Sequence, residues 1–204
     1  MSEGKIDRYT AYRMDHRTEA EFKTDMFQFT HKEKLYGEIF ALELSSLGHS
    51  CTVTDHGVDN TGEMIRGKLA NCNPDKMYSF PGGSRMYVEI KTVPEKHSRF
   101  HTFKLSAVKG CYNYGALILV PKVGHYFIYG SKSMERMMER CEVIHNFAPF
   151  GNKPCLQPSM SFIKQMISDG IVMHRVWTDE AKKLIESVKH TLLADRMANR
   201  LIRA

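Results

Sequence analysis

From Thr30 to Leu47 the apolar residues Leu35, Ile39 and Leu42 recur at helical spacing, which predicts an amphipathic helix. Thr30 and Glu33 have the S/T-x-x-E spacing of a capping box, and Gly48 supplies a stop. The short β-branched run "SCTVT" (50–54) predicts a strand. The polar, glycine-containing segment 55–71 reads as a long loop. In "MYVEIKT" the residues Met86, Val88 and Ile90 alternate with Tyr87, Glu89 and Lys91, the period of a strand with two unlike faces. A helix is expected over Phe103–Tyr114 and a strand in the unbroken apolar run 116–121, which suits burial on both faces. A further strand follows at 125–130.

Past Gly130 come a Met-rich helix (132–141) and the proline-rich connector "NFAPFGNKPCLQPS". A short helix (159–168), a strand (170–177) and a long helix from Thr178 complete the pattern. Asp179 and Glu180 in the first turn of that last helix suit its dipole, and Ala181, Leu184, Ile185, Val188 and Leu192 give it one apolar face. The order α-β-β-β-α-β-β implies an α/β chain with one central mixed sheet flanked by helices. Residues 1–29 read as a basic and aromatic N-terminal arm, 30–130 as the core, and 131–204 as a C-terminal α+β extension packed on it.

Composition narrows the picture. The chain has 204 residues, 42% hydrophobic and 25% charged, a globular balance. A net charge of +6 favours a polyanion partner. Five widely spaced cysteines, with no CxxC pair, fit reduced thiols in an intracellular setting rather than a disulfide scaffold or structural zinc. The polar N-terminus is no signal peptide, and no apolar run reaches membrane-spanning length. The expectation is an intracellular protein that is neither secreted nor in a membrane.

The stretch "CNPDKMYSFPGGSRMYVEIKT" (72–92) carries the chemistry. If "PGG" (81–83) is a three-residue hairpin loop with a left-handed glycine, Phe80 pairs with Ser84 and Asp75 falls opposite Glu89. A two- or four-residue loop turns Asp75 to the wrong face. Facing carboxylates are unfavourable unless something offsets the repulsion. A hard divalent cation does so through oxygen ligands. Lys91, beside the pair, can orient or deprotonate a water or neutralise charge on a phosphate, which makes phosphodiester hydrolysis the natural reaction class. An isolated E-x-K on a solvated hairpin is the plainer alternative.

The constellation "PD", thirteen intervening residues and "EIK", behind a helix bearing Glu38 and ahead of a helix and a buried strand, resembles the PD-(D/E)XK nuclease superfamily. The layout is most similar to archaeal Holliday-junction resolvases, where a helix acid lies about three turns before a glycine, as Glu38 does before Gly48. The resemblance covers roughly residues 35–129 and implies a restriction-endonuclease-like core. It makes Asp75 and Glu89 ligands of Mg²⁺ or Mn²⁺, with the Ile90 carbonyl completing the set, and Lys91 the catalytic lysine. Glu38 matches the helix acid that binds or positions the metal, with Glu43 a competing choice. Lys104, Arg85 and Arg99 are the candidate nucleic-acid contacts.

The function implied is a metal-dependent endonuclease acting on DNA. The alternatives are an RNA endonuclease of the cap-snatching type and a non-catalytic DNA-binding or assembly module on a nuclease-like fold. A homodimer suits cleavage of two strands. His97 and His101, at i,i+4 spacing, are expected to face solvent or DNA. Trp177 is expected in the core, and Met134, Met137 and Met138 as adaptable packing.

Overall fold

The computed structural model describes residues 19–56, 74–92, 101–145 and 154–192. Helix α1 (Glu19–Ser46) leads into strands β1 (Thr52–Asp55), β2 (Lys76–Ser79) and β3 (Arg85–Ile90). Strand β4 (Phe103–Lys104) and helix α2 (Leu105–Tyr114) then lead to β5 (Leu117–Pro121) and β6 (His125–Tyr129). Helix α3 (Ser131–Arg140), strands β7 (Val143–Ile144) and β8 (Cys155–Leu156), helix α4 (Met160–Ser168) and strand β9 (Val172–Val176) follow. Helices α5 (Asp179–Ser187) and α6 (Lys189–Leu192) end the described chain.

The architecture is α/β. A mixed six-stranded sheet has the order β1-β2-β3-β5-β6-β9, and a small three-stranded sheet has the order β4-β8-β7. Strands β1 to β3 form an antiparallel meander, β3 and β5 run parallel, and β5, β6 and β9 are antiparallel. A parallel neighbour needs a crossover, and the segment containing α2 supplies it. Strand β9, from the C-terminal part of the chain, is the sixth strand of the central sheet rather than part of a separate unit.

Each face of the sheet carries a core. On one face Val88, Ile90, Leu119 and Tyr126 pack with Tyr36, Ile39 and Phe40 of α1 and with Trp177, Ala181 and Ile185. On the other, Ile118, Val120, Phe127, Tyr129 and Val172 pack with Val108 of α2, Met134 and Met137 of α3, and Ile163 and Met166 of α4. Adjacent residues of β5 thus serve opposite cores, which is why "ALILVP" lacks a polar face. Each such large side chain, fully buried, is worth about 1.5–3 kcal/mol.

Several boundaries differ from the sequence reading. Helix α1 begins at Glu19, so Thr30 lies inside it rather than at its N-cap position. The segment 19–29 contains neither glycine nor proline, and a capping box acts only where the chain upstream leaves the helix. The end matches expectation: Gly48 has φ +87°, the His49 amide donates to the Leu44 carbonyl at 2.8 Å and the Gly48 amide to Ser45 at 2.9 Å, a Schellman closure.

Phe103 and Lys104 are strand rather than helix, because they pair with Leu156 and Cys155 from the connector read as irregular. The last helix is interrupted after Ser187. Trp177 is core as expected: it is 1% exposed, packs on Tyr36 and Tyr126, and its Nε1 donates to the Lys122 carbonyl at 2.7 Å. Cys51, Cys111, Cys141 and Cys155 are free thiols, and Cys72 lies outside the described residues. Among the described residues no helix is long and apolar enough to cross a membrane.

Candidate functional site

The β2–β3 hairpin sets the geometry. Gly82 and Gly83 both have positive φ (+95° and +86°), so the "PGG" loop turns without strain. The Phe80 amide donates to the Ser84 carbonyl at 3.0 Å and the Gly83 amide to Phe80 at 3.1 Å. The ladder runs from Ser79 opposite Arg85 to Lys76 opposite Val88. Continued by one residue, this register sets Asp75 across from Glu89, the alignment a three-residue loop demands.

Asp75 ends the strand pairing. Its carbonyl accepts from the His56 amide at 3.0 Å, and its carboxylate Oδ2 accepts from the Ile90 amide at 2.6 Å. On the far side of β3, the Lys91 amide donates to the Leu119 carbonyl at 2.8 Å. In an extended strand the N–H and C=O of one residue point to the same side, so the Ile90 carbonyl faces the Asp75 side too. Across from it in register stands Pro74, whose ring nitrogen has no hydrogen to donate. One carboxylate and one carbonyl are thereby aimed into the same space at the end of β2.

Charges of both signs meet there. Glu89 is buried at 7% exposure and forms an ion pair with Lys91. Burial pushes the Asp75 carboxyl well above its ordinary value, and the negative charges of Glu89 and Glu33 push it further. The Lys91 ammonium and the Ile90 amide oppose them. For Lys91 burial pulls the other way, but Glu89, Asp75 and Glu33 overrule it and the ammonium titrates above its ordinary value. Lys91 is thus a positively charged hydrogen-bond donor to Glu89.

The acids of α1 take different places. Glu38 is exposed and lines a shallow cleft with Lys34, Val53, Thr54, Asp55 and Lys76. The α1 carboxylate whose charge acts on Asp75 and Lys91 is Glu33. Glu43 is buried at 1% exposure and belongs to the fold: it accepts from the Tyr126 hydroxyl (2.9 Å), the Thr178 amide (2.8 Å) and the Thr178 hydroxyl (2.8 Å), tying α1 to the start of α5. The cleft has its own ion pair, buried Lys76 with Asp55. Lys76 reaches it by crossing α1 at Gly37, where a Cβ would lie 2.8 Å from Lys76 Cε.

The expected nucleic-acid contacts do not gather at the acids. Arg85 is exposed at the turn end of β3, four residues before Glu89 and at the opposite end of the strand. Lys104 sits in β4, paired in register with Cys155. Arg99 and His97 lie outside the described residues. His101, expected at the surface, is 1% exposed, and its Nδ1 lies 2.6 Å from the Tyr129 hydroxyl. His56, one residue past β1, donates its amide to the Asp75 carbonyl, with its Nε2 2.9 Å from the Tyr114 hydroxyl and its ring 4.9 Å from that of Tyr87.

Among the described residues, no group of three or more His, Cys, Asp or Glu side chains is close enough to hold a metal ion. A cation here would be held by the Asp75 and Glu89 carboxylates and the Ile90 carbonyl, with water and substrate supplying the rest. That all-oxygen, water-rich set fits Mg²⁺ or Mn²⁺, which commonly bind through one or two carboxylates and substrate phosphates. It does not suit zinc, which takes nitrogen and sulfur ligands. Comparison with family models, with curated proteins and with solved structures gave no match.

Proposed function

We propose that the chain is a divalent-metal-dependent nuclease that hydrolyses phosphodiester bonds, with DNA the substrate of first choice. The observation that carries this reading is the placement of Asp75 in register with Glu89, with its carboxylate on the Ile90 amide and Lys91 against Glu89. Among the described residues, Asp75 and Glu89 face each other beside Lys91 in a buried space, and the charge of Glu33 reaches Asp75. Such an arrangement costs stability unless a cation is part of its use. The element order α-β-β-β-α-β, with β3 parallel to β5, further supports a PD-(D/E)XK type of core.

A bound Mg²⁺ or Mn²⁺ would lower the pKa of a water and polarise a phosphoryl oxygen. The protein's own groups do the rest. Asp75 and Glu89 fix the position of the charge, and the Ile90 amide holds the Asp75 carboxylate in one orientation. Lys91 places a compact positive charge where negative charge grows on the phosphate. His56, Tyr87 and Tyr114 wall one side with aromatic rings.

The test is a cleavage time course on DNA and RNA of several shapes with Mg²⁺, Mn²⁺ or EDTA. Cleavage that needs metal and is lost in Asp75→Ala and Lys91→Ala, with both variants folded, is expected. Lys91→Arg should be nearly as damaging, since its planar fork does not replace a point charge. Wild-type protein inert on every substrate, or Lys91→Ala cleaving at the wild-type rate, would refute the reading.

A further inference from the structure

A second group of chemistry-bearing side chains lies on the sheet face that carries Glu89. Register defines that face. Glu89 is paired with Ile118, Ile118 with Tyr129, and Tyr129 with Val172. One step toward the end where the acids lie, Ile90 pairs with Leu119, so Lys91 follows beside Val120. Val120 pairs with Phe127, and Phe127 with His174. Lys91 and His174 therefore occupy one cross-strand row, three strands apart.

The next row holds Lys122, just past β5, and His125, which opens β6; the Lys122 amide donates to the His125 carbonyl at 2.8 Å across the tight turn. Because β3 and β5 are parallel, Lys91 and Lys122 leave the sheet at the same end. The basic groups thus share both a face and an end with the acid pair.

Their packing makes a built feature rather than scattered surface charge. The His174 ring stacks on Phe127 (centroids 4.4 Å apart, planes 10° from parallel), and His125 stands edge-on to both, 5.0 Å from His174 and 5.4 Å from Phe127. Underneath, buried His101 contacts Phe127 at 4.7 Å. His174 is exposed, while His125 and Lys122 are half-buried.

We propose that Lys122, His125 and His174 form a phosphate-binding subsite that holds a nucleic-acid backbone beside the Asp75–Glu89 pair. Three strand spacings of about 4.8 Å come to about 14 Å, the length of about four base steps at 3.4 Å. Val120 and Phe127 of the intervening strands are buried, so a backbone with its scissile phosphate at the acids would follow the strand ends past Lys122 to reach the histidines.

The electrostatics agree. Burial pushes His125 below its ordinary value, and His174 and Lys122 push it further. Burial also brings Lys122 down to about 8. Near neutral pH Lys122 supplies the positive charge, and the imidazole N–H groups of His125 and His174 supply hydrogen-bond donors for an anion. The inference rests on the nuclease reading only for the choice of nucleic acid as the anion.

The experiment measures binding of a labelled DNA duplex and a labelled RNA strand in EDTA by fluorescence anisotropy, across a salt series. The proteins are wild type, Lys122→Ala, His174→Ala and, as control, Lys182→Ala, whose lysine pairs with Asp179. His174 is exposed on the edge strand, so its variant keeps the fold, and thermal melts verify this.

Lys122→Ala and His174→Ala should each weaken binding about tenfold, and Lys122→Ala should lower the salt slope by about one. The control should stay within about twofold. The ring resonances of His125 and His174 should also move when wild type is titrated with inorganic phosphate. Unchanged affinity in both variants, an equal loss in the control, or no nucleic-acid binding by wild type overturns the subsite. If wild type cleaves nothing but the two variants lose binding, the nuclease reading fails and the subsite stands. If wild type cleaves and the variants bind normally, the subsite fails and the nuclease reading stands.

Discussion

The Ile90 amide donates to the Asp75 carboxylate at 2.6 Å, at the point where a backbone carbonyl would otherwise continue the β2–β3 ladder. A side chain has taken over a main-chain acceptor's place. That substitution fixes the carboxylate, ends β2, and leaves it facing Glu89 in a buried space, where Lys91 and Glu33 also act on it. On the function proposed above, a cation offsets the repulsion between the two acids.

The cost is measurable. Asp75 has a higher pKa in the fold than the 3.8 of a free carboxylate, so its contribution to stability is fully present below that value and is lost as pH rises through the folded value. At pH 8 the side chain therefore opposes folding. Asp75→Asn keeps an oxygen for the Ile90 amide and carries no charge. The variant should melt above wild type at pH 8, with the gap closing toward pH 4. At this chain length each ~1 kcal/mol is worth about 2–4 °C. Added Mg²⁺ should raise the wild-type Tm and leave the variant's unchanged. A variant that melts below wild type at pH 8 would show that the charge is not a burden.

Glu33 and Glu38 separate in the same way. Glu33 acts on Asp75 and Lys91, whereas Glu38 lines the Lys76–Asp55 cleft. Glu33→Gln should raise the Mg²⁺ concentration needed for half-maximal cleavage about tenfold, as loss of a supporting carboxylate commonly does. Glu38→Gln should leave it within about twofold. The reverse ranking, in a metal titration of single-turnover cleavage, would restore Glu38 as the helix acid.

The hairpin and the helix differ in how much of their geometry the sequence carries. The hairpin was legible because strand alternation has period two and the loop length sets the register. Phe80 opposite Ser84 then puts Asp75 across from Glu89 by counting alone. The helix was less so. Leu35, Ile39 and Leu42 make a plausible stripe, but the buried face runs through Tyr36, Ile39, Phe40 and Glu43. The difference is a rotation of about one residue, since large aromatic rings outweigh leucines at the sheet. A stripe drawn through Tyr36 and Phe40 would have put Glu33 on the sheet side and Glu38 off it. The basic row was not legible at all. Lys122, His125 and His174 come together only because β9 pairs with β6, a contact between residues 43 or more positions apart that no local pattern encodes. The strand at 155–156 was hidden for the same reason, its partner lying at 103–104.

His101 supplies the sharpest pH signature of the fold. It is buried against Phe103, Phe127 and Tyr129, with the Tyr129 hydroxyl at its Nδ1, and its pKa is brought down to about 3 by burial first and then by Lys122, His125 and His174. A base depressed in this way is neutral in the fold. Below 6.5 the unfolded chain takes up a proton that the folded chain does not. Stability should therefore fall as pH drops from 6.5 toward 3, by up to about 1.4 kcal/mol per unit from this residue, with no contribution above 6.5. His125, also lowered, adds to the same slope. His101→Phe keeps the ring packing but strips the Tyr129 hydroxyl of its partner, which should cost about 1–3 kcal/mol at pH 8. Its stability curve should nevertheless be flatter than wild type between pH 6.5 and 4, so that the two converge on acidification. Urea melts of both proteins at half-unit pH steps give the slopes, and parallel curves would mean that His101 titrates normally and is not held neutral by its surroundings.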